Sequence, residues 1–154
     1  VLDELVIDMK IPILGICVGM QMMAKSSEEG KREGLGWINA KVKKFEQNFS
    51  KAEISSMKNN LSLKKRFLAL PHMGWNNLEI IQQNKILNNI NSPNFYFLHS
   101  FYFETQNIDY VIAQTNYFIN FCSIFKKDNI YGVQFHPEKS RNDGINLLLN
   151  FSNI

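Results

Sequence analysis

The chain has 154 residues, 45% of them hydrophobic and 20% charged, and carries a formal charge of +3. That is the profile of one globular domain with its own core, spanning residues 1–154. Its lysines fall in short solvated pairs (Lys43-Lys44, Lys64-Lys65, Lys126-Lys127), which argues against a nucleic-acid partner, and no apolar run approaches the ~20 residues of a membrane span.

Leu2, Leu5, Val6 and Met9 have helical spacing, so residues 1–9 read as the end of a helix. Pro12 stops it. Residues 11–16 form a short strand apolar on both faces, the kind found in parallel sheets covered by helices. Residues 18–25 read as a helix, and Ser26 to Gly30 as a loop. Alternation from Leu35 to Phe45 predicts one or two strands with an exposed face. Residues 46–64, rich in Asn, Ser and Lys, read as a surface insertion. A strand over 67–70 is expected to break at Pro71 through Asn76. Ile86, Leu87 and Ile90 predict a short helix. Strands follow over 95–103, 110–115, 122–126 and 130–135, then an amphipathic helix over 142–151. The order predicts an α/β sheet with a β-rich excursion. Two distant cysteines without secretory features predict reduced thiols and a cytoplasmic location.

Chemistry concentrates at Gly15-Ile16-Cys17-Val18-Gly19, where the first strand gives way to a helix. A residue at the tip of so sharp a turn needs small neighbours two positions away on either side. This is the cysteine form of the nucleophile elbow. The turn exposes the thiol at the carboxyl edge of the sheet and aims the helix N-terminus at it, which favours thiolate. The Val18 N–H becomes an oxyanion donor. By itself the pentapeptide equally describes a buried cysteine in a glycine-rich turn. A thiol nucleophile also needs a base. His136 ends the strand 130–135, at the same sheet edge if the two strands are parallel. Glu138 lies two residues on, across Pro137, and projects to the same side of an extended segment. Together they offer nucleophile, base and orienting acid. Cys122, within a strand, reads as core.

"GICVGMQ" and "GVQFHPEKS" together resemble the class I glutamine amidotransferases. "LPHMGWN" and "FLHS" are similar, within that family, to the glutaminase subunit of imidazole glycerol phosphate synthase, the HisH type. The resemblance implies a flavodoxin-like, mostly parallel sheet flanked by helices, with no cofactor or metal. It implies glutamine hydrolysis to glutamate and ammonia by Cys17, His136 and Glu138. Gln21 and Glu29 match positions that contact the substrate, as does the backbone at Ser100 and Phe101. The family generally has tyrosine at the position of Phe101, so no hydroxyl is expected there. His72, Trp75 and Lys139 match the segments presented to a (β/α)8-barrel cyclase, the heterodimer partner that receives ammonia. From the residues alone, His72 would be an ordinary loop histidine and Trp75 core filling. Family members begin earlier, so the resemblance also implies an N-terminally incomplete chain, lacking strands and a second oxyanion donor, and feebly active alone. Two alternatives stay open: a paralogous glutaminase serving a surface-polysaccharide sugar amidotransferase, and a non-catalytic partner-binding subunit.

Overall fold

The computed structural model describes residues 1–45 and 70–154. The insertion expected over 46–64, and all but the last residue of the strand expected over 67–70, lie outside them. Strand β1 (Ile13–Ile16) leads through Cys17 into helix α1 (Val18–Met22). Then come β2 (Ser26–Ser27), β3 (Ala40–Lys44), β4 (His72–Asn77), β5 (Glu79–Ile80), β6 (Asn94–His99), β7 (Phe101–Thr105), β8 (Val111–Tyr117), β9 (Ile119–Lys127), β10 (Ile130–Val133) and helix α2 (Arg141–Ser152).

The main sheet has the order β1-β10-β9-β8-β5. Its one parallel junction is β1 with β10, where Ile16 stands opposite Val133. The other three junctions are antiparallel. The expected mostly parallel sheet is therefore corrected for the described residues. The reason is connection length. A parallel neighbour needs a crossover of a dozen or more residues. Here only Phe118 separates β8 from β9, and only Asp128 and Asn129 separate β9 from β10. Phe118 and Asp128 have φ of 69° and 53°, the left-handed backbone that such tight reversals use.

Both faces of this sheet are covered. Leu147 and Phe151 of α2 pack against Tyr131, Val133 and Ile124. Met20 of α1 packs, together with Met23, against Ile130, Phe125 and Cys122 on the opposite side. Two smaller sheets, β2-β3-β7 and β4-β6, complete the architecture. Among the described residues no helix is long and apolar enough to cross a membrane.

Three local readings change. The helix expected over 18–25 ends at Met22, because residues 35, 36 and 38 donate backbone N–H groups to Met22, Ala24 and Met23. Those carbonyls, free at any helix end, are satisfied by the following loop. The single strand expected over 95–103 is two strands in different sheets, switching at Ser100. The expected break at Pro71–Asn76 is β4, paired with β6 so that His72 stands opposite His99. At the start of the chain residues 2–8 are helical, as expected, with Glu4–Asp8 wound as a π-helix, but Val6 alone of the predicted apolar face is buried.

Candidate active site

Cys17 occupies the elbow with φ 51° and ψ −108°, a left-handed backbone that an L-residue rarely adopts. Its N–H donates to the Val133 carbonyl at 2.8 Å, so the β1–β10 ladder runs directly into the turn. A methyl on Gly15 would meet the Gly19 carbonyl group and the Met20 nitrogen at 2.7 Å. The expectation for Gly19 is corrected: a Cβ there meets nothing within 4 Å. Only the residue trapped between strand and helix must be bare. Gly15→Ala is expected to push the helix off the strand and cost about 2 kcal/mol or more, whereas Gly19→Ala should cost under about 1 kcal/mol. Urea unfolding of both variants checks this ordering, and equal costs would contradict it.

The thiol is buried. It donates to the Leu98 carbonyl at 3.7 Å and accepts from Gln134 Nε2 at 3.8 Å. Burial pushes its pKa above the usual value near 9. The Val18 N–H and Gln134 bonds oppose that shift, and the Glu138 and Glu29 carboxylates add to it. The expected lowering by the helix N-terminus is thus corrected: desolvation outweighs what a five-residue helix supplies. A protonated resting thiol makes a neighbouring base necessary.

Cys17 directly follows β1, and His136 lies three residues past the end of β10, so the parallel pair leads both toward one end of the sheet. The extended segment expected to align His136 with Glu138 is corrected to a 3-10 turn, Pro137–Lys139, that His136 opens. Its Nδ1 lies 2.7 Å from Glu138 Oε1. A carboxylate only accepts, so in the neutral ring Nδ1 bears the proton and Nε2 is left bare. The backbone of His136 is fixed by three contacts. Its N–H donates to the Tyr96 carbonyl at 2.8 Å, and its own carbonyl accepts from Ser140 Oγ at 2.6 Å and the Lys139 N–H at 3.0 Å.

Beside Cys17 lies a cleft of about 260 Å³ whose walls include Val18, Gln21, Glu29, Ser100 and Phe101. The structure therefore gathers the residues singled out for substrate contact around one hollow. Glu29 is exposed at its rim. Gln21 is buried, and its Nε2 donates to the Phe101 carbonyl at 3.0 Å and to Gln134 Oε1 at 3.1 Å. The Phe101 carbonyl also lies 2.7 Å from His99 Nδ1. Both of its lone pairs are engaged, so it has none left for a ligand.

The three residues expected at a partner face separate. Trp75 is 43% exposed and packs edge-to-face on Tyr96 at 6.1 Å, and the Lys139 ammonium stands 5.9 Å from that same Tyr96 ring. The Arg141 guanidinium lies 4.9 Å over the Trp75 ring, above a hollow of about 380 Å³. His72 is only 3% exposed, which corrects its placement at that face. Successive side chains of a strand point to opposite faces, so residues 72 and 75 of β4 cannot share one.

Sequence reasoning passed over Gln134, Ser140 and His99. Each is a buried polar residue among apolar neighbours, and such groups are kept only with partners. A glutamine inside the apolar run 130–135, two residues before His136, was the legible signal.

A strand–thiol–helix elbow, with a His–Glu pair in the turn that follows the strand parallel to it, is the arrangement of a cysteine-nucleophile amide-cleaving class. The family model described as "Glutamine amidotransferase class-I" matches residues 2–153. The chain belongs to the class I glutamine amidotransferases. It is 46% identical over 155 residues to imidazole glycerol phosphate synthase subunit HisH of Leptospira borgpetersenii, covering 100% of this chain and 69% of that one. The HisH of Leptospira interrogans is 48% identical with the same coverage, and that of Bdellovibrio bacteriovorus 44%. A solved Thermoplasma acidophilum protein described as part of a GMP synthase aligns with TM-score 0.62 at 20% identity, over 99% of this chain and 61% of that one. A glutamine amidotransferase from Thermotoga maritima aligns with TM-score 0.59 at 18% identity, over 99% and 51%. These two support the fold alone.

Proposed function

We propose that this chain hydrolyses glutamine to glutamate and ammonia and delivers the ammonia to a HisF-type cyclase in histidine biosynthesis. One observation carries the chemistry: Cys17 and His136 leave adjacent parallel strands at one edge, with Glu138 on the far ring nitrogen. His136 Nε2 takes the thiol proton as Sγ attacks the side-chain carboxamide carbon of glutamine. The Val18 N–H stabilises the resulting oxyanion. The tetrahedral adduct collapses as the imidazolium protonates the departing nitrogen, releasing ammonia and leaving a thioester. Water, deprotonated by the same imidazole, cleaves the thioester to glutamate and restores the thiol. Glu29, at the open rim, has the charge to pair with the substrate α-ammonium, and Gln21 and the Ser100–Phe101 backbone shape the wall beside it.

Between the histidine-pathway cyclase and a sugar amidotransferase as acceptor, the relatives' names support the cyclase. Trp75 and Lys139 form the face offered to it, in a heterodimer acting in the cytoplasm. The pair's lyase activity belongs to the cyclase.

A diazoketone analogue of glutamine tests the chemistry. It should alkylate Cys17 and not Cys122, and excess glutamine should slow the modification by about tenfold or more. Modification indifferent to glutamine would overturn the reading. Adding the cyclase, loaded with its nucleotide acceptor, should raise turnover.

A further inference from the structure

Outside the triad, the described residues hold two more histidines, both buried, on paired strands β4 and β6. His72 Nδ1 and His99 Nε2 lie 3.0 Å apart. His72 Nε2 lies 3.3 Å from Asn76 Nδ2, which also donates to the Asn116 carbonyl. The His72 ring is sandwiched between Phe97 at 4.7 Å and Tyr117 at 3.8 Å, both nearly parallel to it.

The direction of every bond follows from its ends. The Phe101 carbonyl only accepts, so His99 Nδ1 bears the proton. In a neutral ring Nε2 is then bare, so His72 Nδ1 must donate to it. His72 Nε2 is bare in turn and accepts from Asn76. Burial keeps both rings neutral, pushing His72 down to about 3 and His99 to about 4.

We propose that His99, backed by His72, is a positioning residue for the nucleophile, acting through the Phe101 carbonyl. That carbonyl is clamped from one side by His99 Nδ1 and from the other by Gln21 Nε2. Gln21 Nε2 also holds Gln134 Oε1, and Gln134 Nε2 donates to Cys17 Sγ. One directed chain thus runs from Asn76 to the Phe101 carbonyl. A second starts at Gln21, whose Nε2 donates both to that carbonyl and to Gln134 Oε1, and continues from Gln134 Nε2 to the sulfur. Removing the His99 donor leaves that carbonyl held by Gln21 alone and free to turn, so the Gln21–Gln134–sulfur chain loses the fixed acceptor it is oriented against. This role rests on the reading of Cys17 as the nucleophile, but its geometry can be tested without turnover.

The test is a pair of variants. In His99→Asn the amide nitrogen takes the place of Nδ1 and can still donate to the Phe101 carbonyl. In His99→Gln the amide lies where Nε2 stood, and that donor is lost. Both give up the ring packing. His99→Asn also gives up the bond from His72 Nδ1 while keeping the donor to the carbonyl, so the pair separates that donor from the backing by His72. Alkylation of Cys17 by iodoacetamide, followed by peptide mass, reports the thiol titration. The midpoint is expected to rise by about half a pH unit in His99→Gln, because the sulfur loses a donor that favours thiolate, and to stay at the parental value in His99→Asn. With glutamine turnover, kcat should fall about tenfold in His99→Gln alone, with KM within about twofold. Equal behaviour of the two variants, or a lowered midpoint from a merely loosened and rehydrated site, would overturn the proposal.

Nitrogen-15 histidine NMR on the unaltered chain needs no variant to fold. It should show His72 and His99 both as Nδ1–H tautomers, and an Nε2–H tautomer at His99 would equally overturn the proposal. Absence of ammonia release by the parent would sink the amidase reading, while tautomer and alkylation still decide this one.

Discussion

Cys17→Ala is expected to lower kcat for ammonia release from glutamine by at least about 10⁴-fold while shifting unfolding free energy by about 1 kcal/mol. The asymmetry follows from geometry. Among the described residues the sulfur makes two long hydrogen bonds, to the Leu98 carbonyl and Gln134, so little cohesion is lost with it. The elbow is held by backbone, through the Cys17 N–H on the Val133 carbonyl and the close approach of Gly15 to the helix. His136→Ala should lose activity on the same scale, since burial holds the resting thiol above its ordinary pKa and no preformed thiolate stands in for the base. The double variant should be scarcely worse than either single one, because two residues that act as a unit are not additive. Glu138→Gln should cost less, about 10- to 100-fold, because Glu138 is half-exposed and water can partly replace it. A glutamate-detecting assay across these four variants, under the parent's own conditions, decides. Parental turnover in Cys17→Ala would end the covalent mechanism.

The second large effect is on acid stability. His72 and His99 titrate near 6.5 when unfolded but only at about 3 and about 4 in the fold. Desolvation is the first cause for both. Each also lies close to another imidazole, His99 beside His72 and His136 beside His99. A depressed histidine pKa means that the unfolded chain takes up protons which the native chain refuses. Stability is therefore full above about pH 6.5 and falls as pH drops toward the folded values. At about 1.4 kcal/mol per pH unit and per group, the fold should lose on the order of 5 kcal/mol between pH 6.5 and 4.5. That is comparable with the whole stability of many domains. Urea unfolding at half-unit steps should show this slope, and His72→Asn should roughly halve it between pH 6.5 and 5, where carboxylates contribute least. A flat profile in that interval would mean that the pair is hydrated or already charged in the native chain.

How far the sequence reaches can be judged residue by residue. The elbow was legible because its chemistry is contiguous: a strand, two glycines flanking a thiol, then a helix. His136 and Glu138 were legible for the same reason, lying two residues apart across a proline. The strands over 122–126 and 130–133 were also readable, within the longer β9 and in β10, since β-branched and aromatic runs bounded by turn residues keep their pattern whatever they pair with. The bend at Ser100 was not. Nothing in 95–103 says that its first half pairs with β4 and its second with β3, because partner choice is set by distant segments.

The sequence by itself determined the candidate reactive groups, their order and the elbow that presents Cys17, since these depend on covalent neighbours and on the few conformations a short peptide can adopt. The tertiary structure alone decided strand direction, the side on which His72 lies and the protonation of the thiol. Those are consequences of which surfaces exclude water from which atoms. The same burial that raises the pKa of Cys17 and keeps two histidines neutral comes from residues scattered between positions 6 and 151, and no window of sequence contains them together.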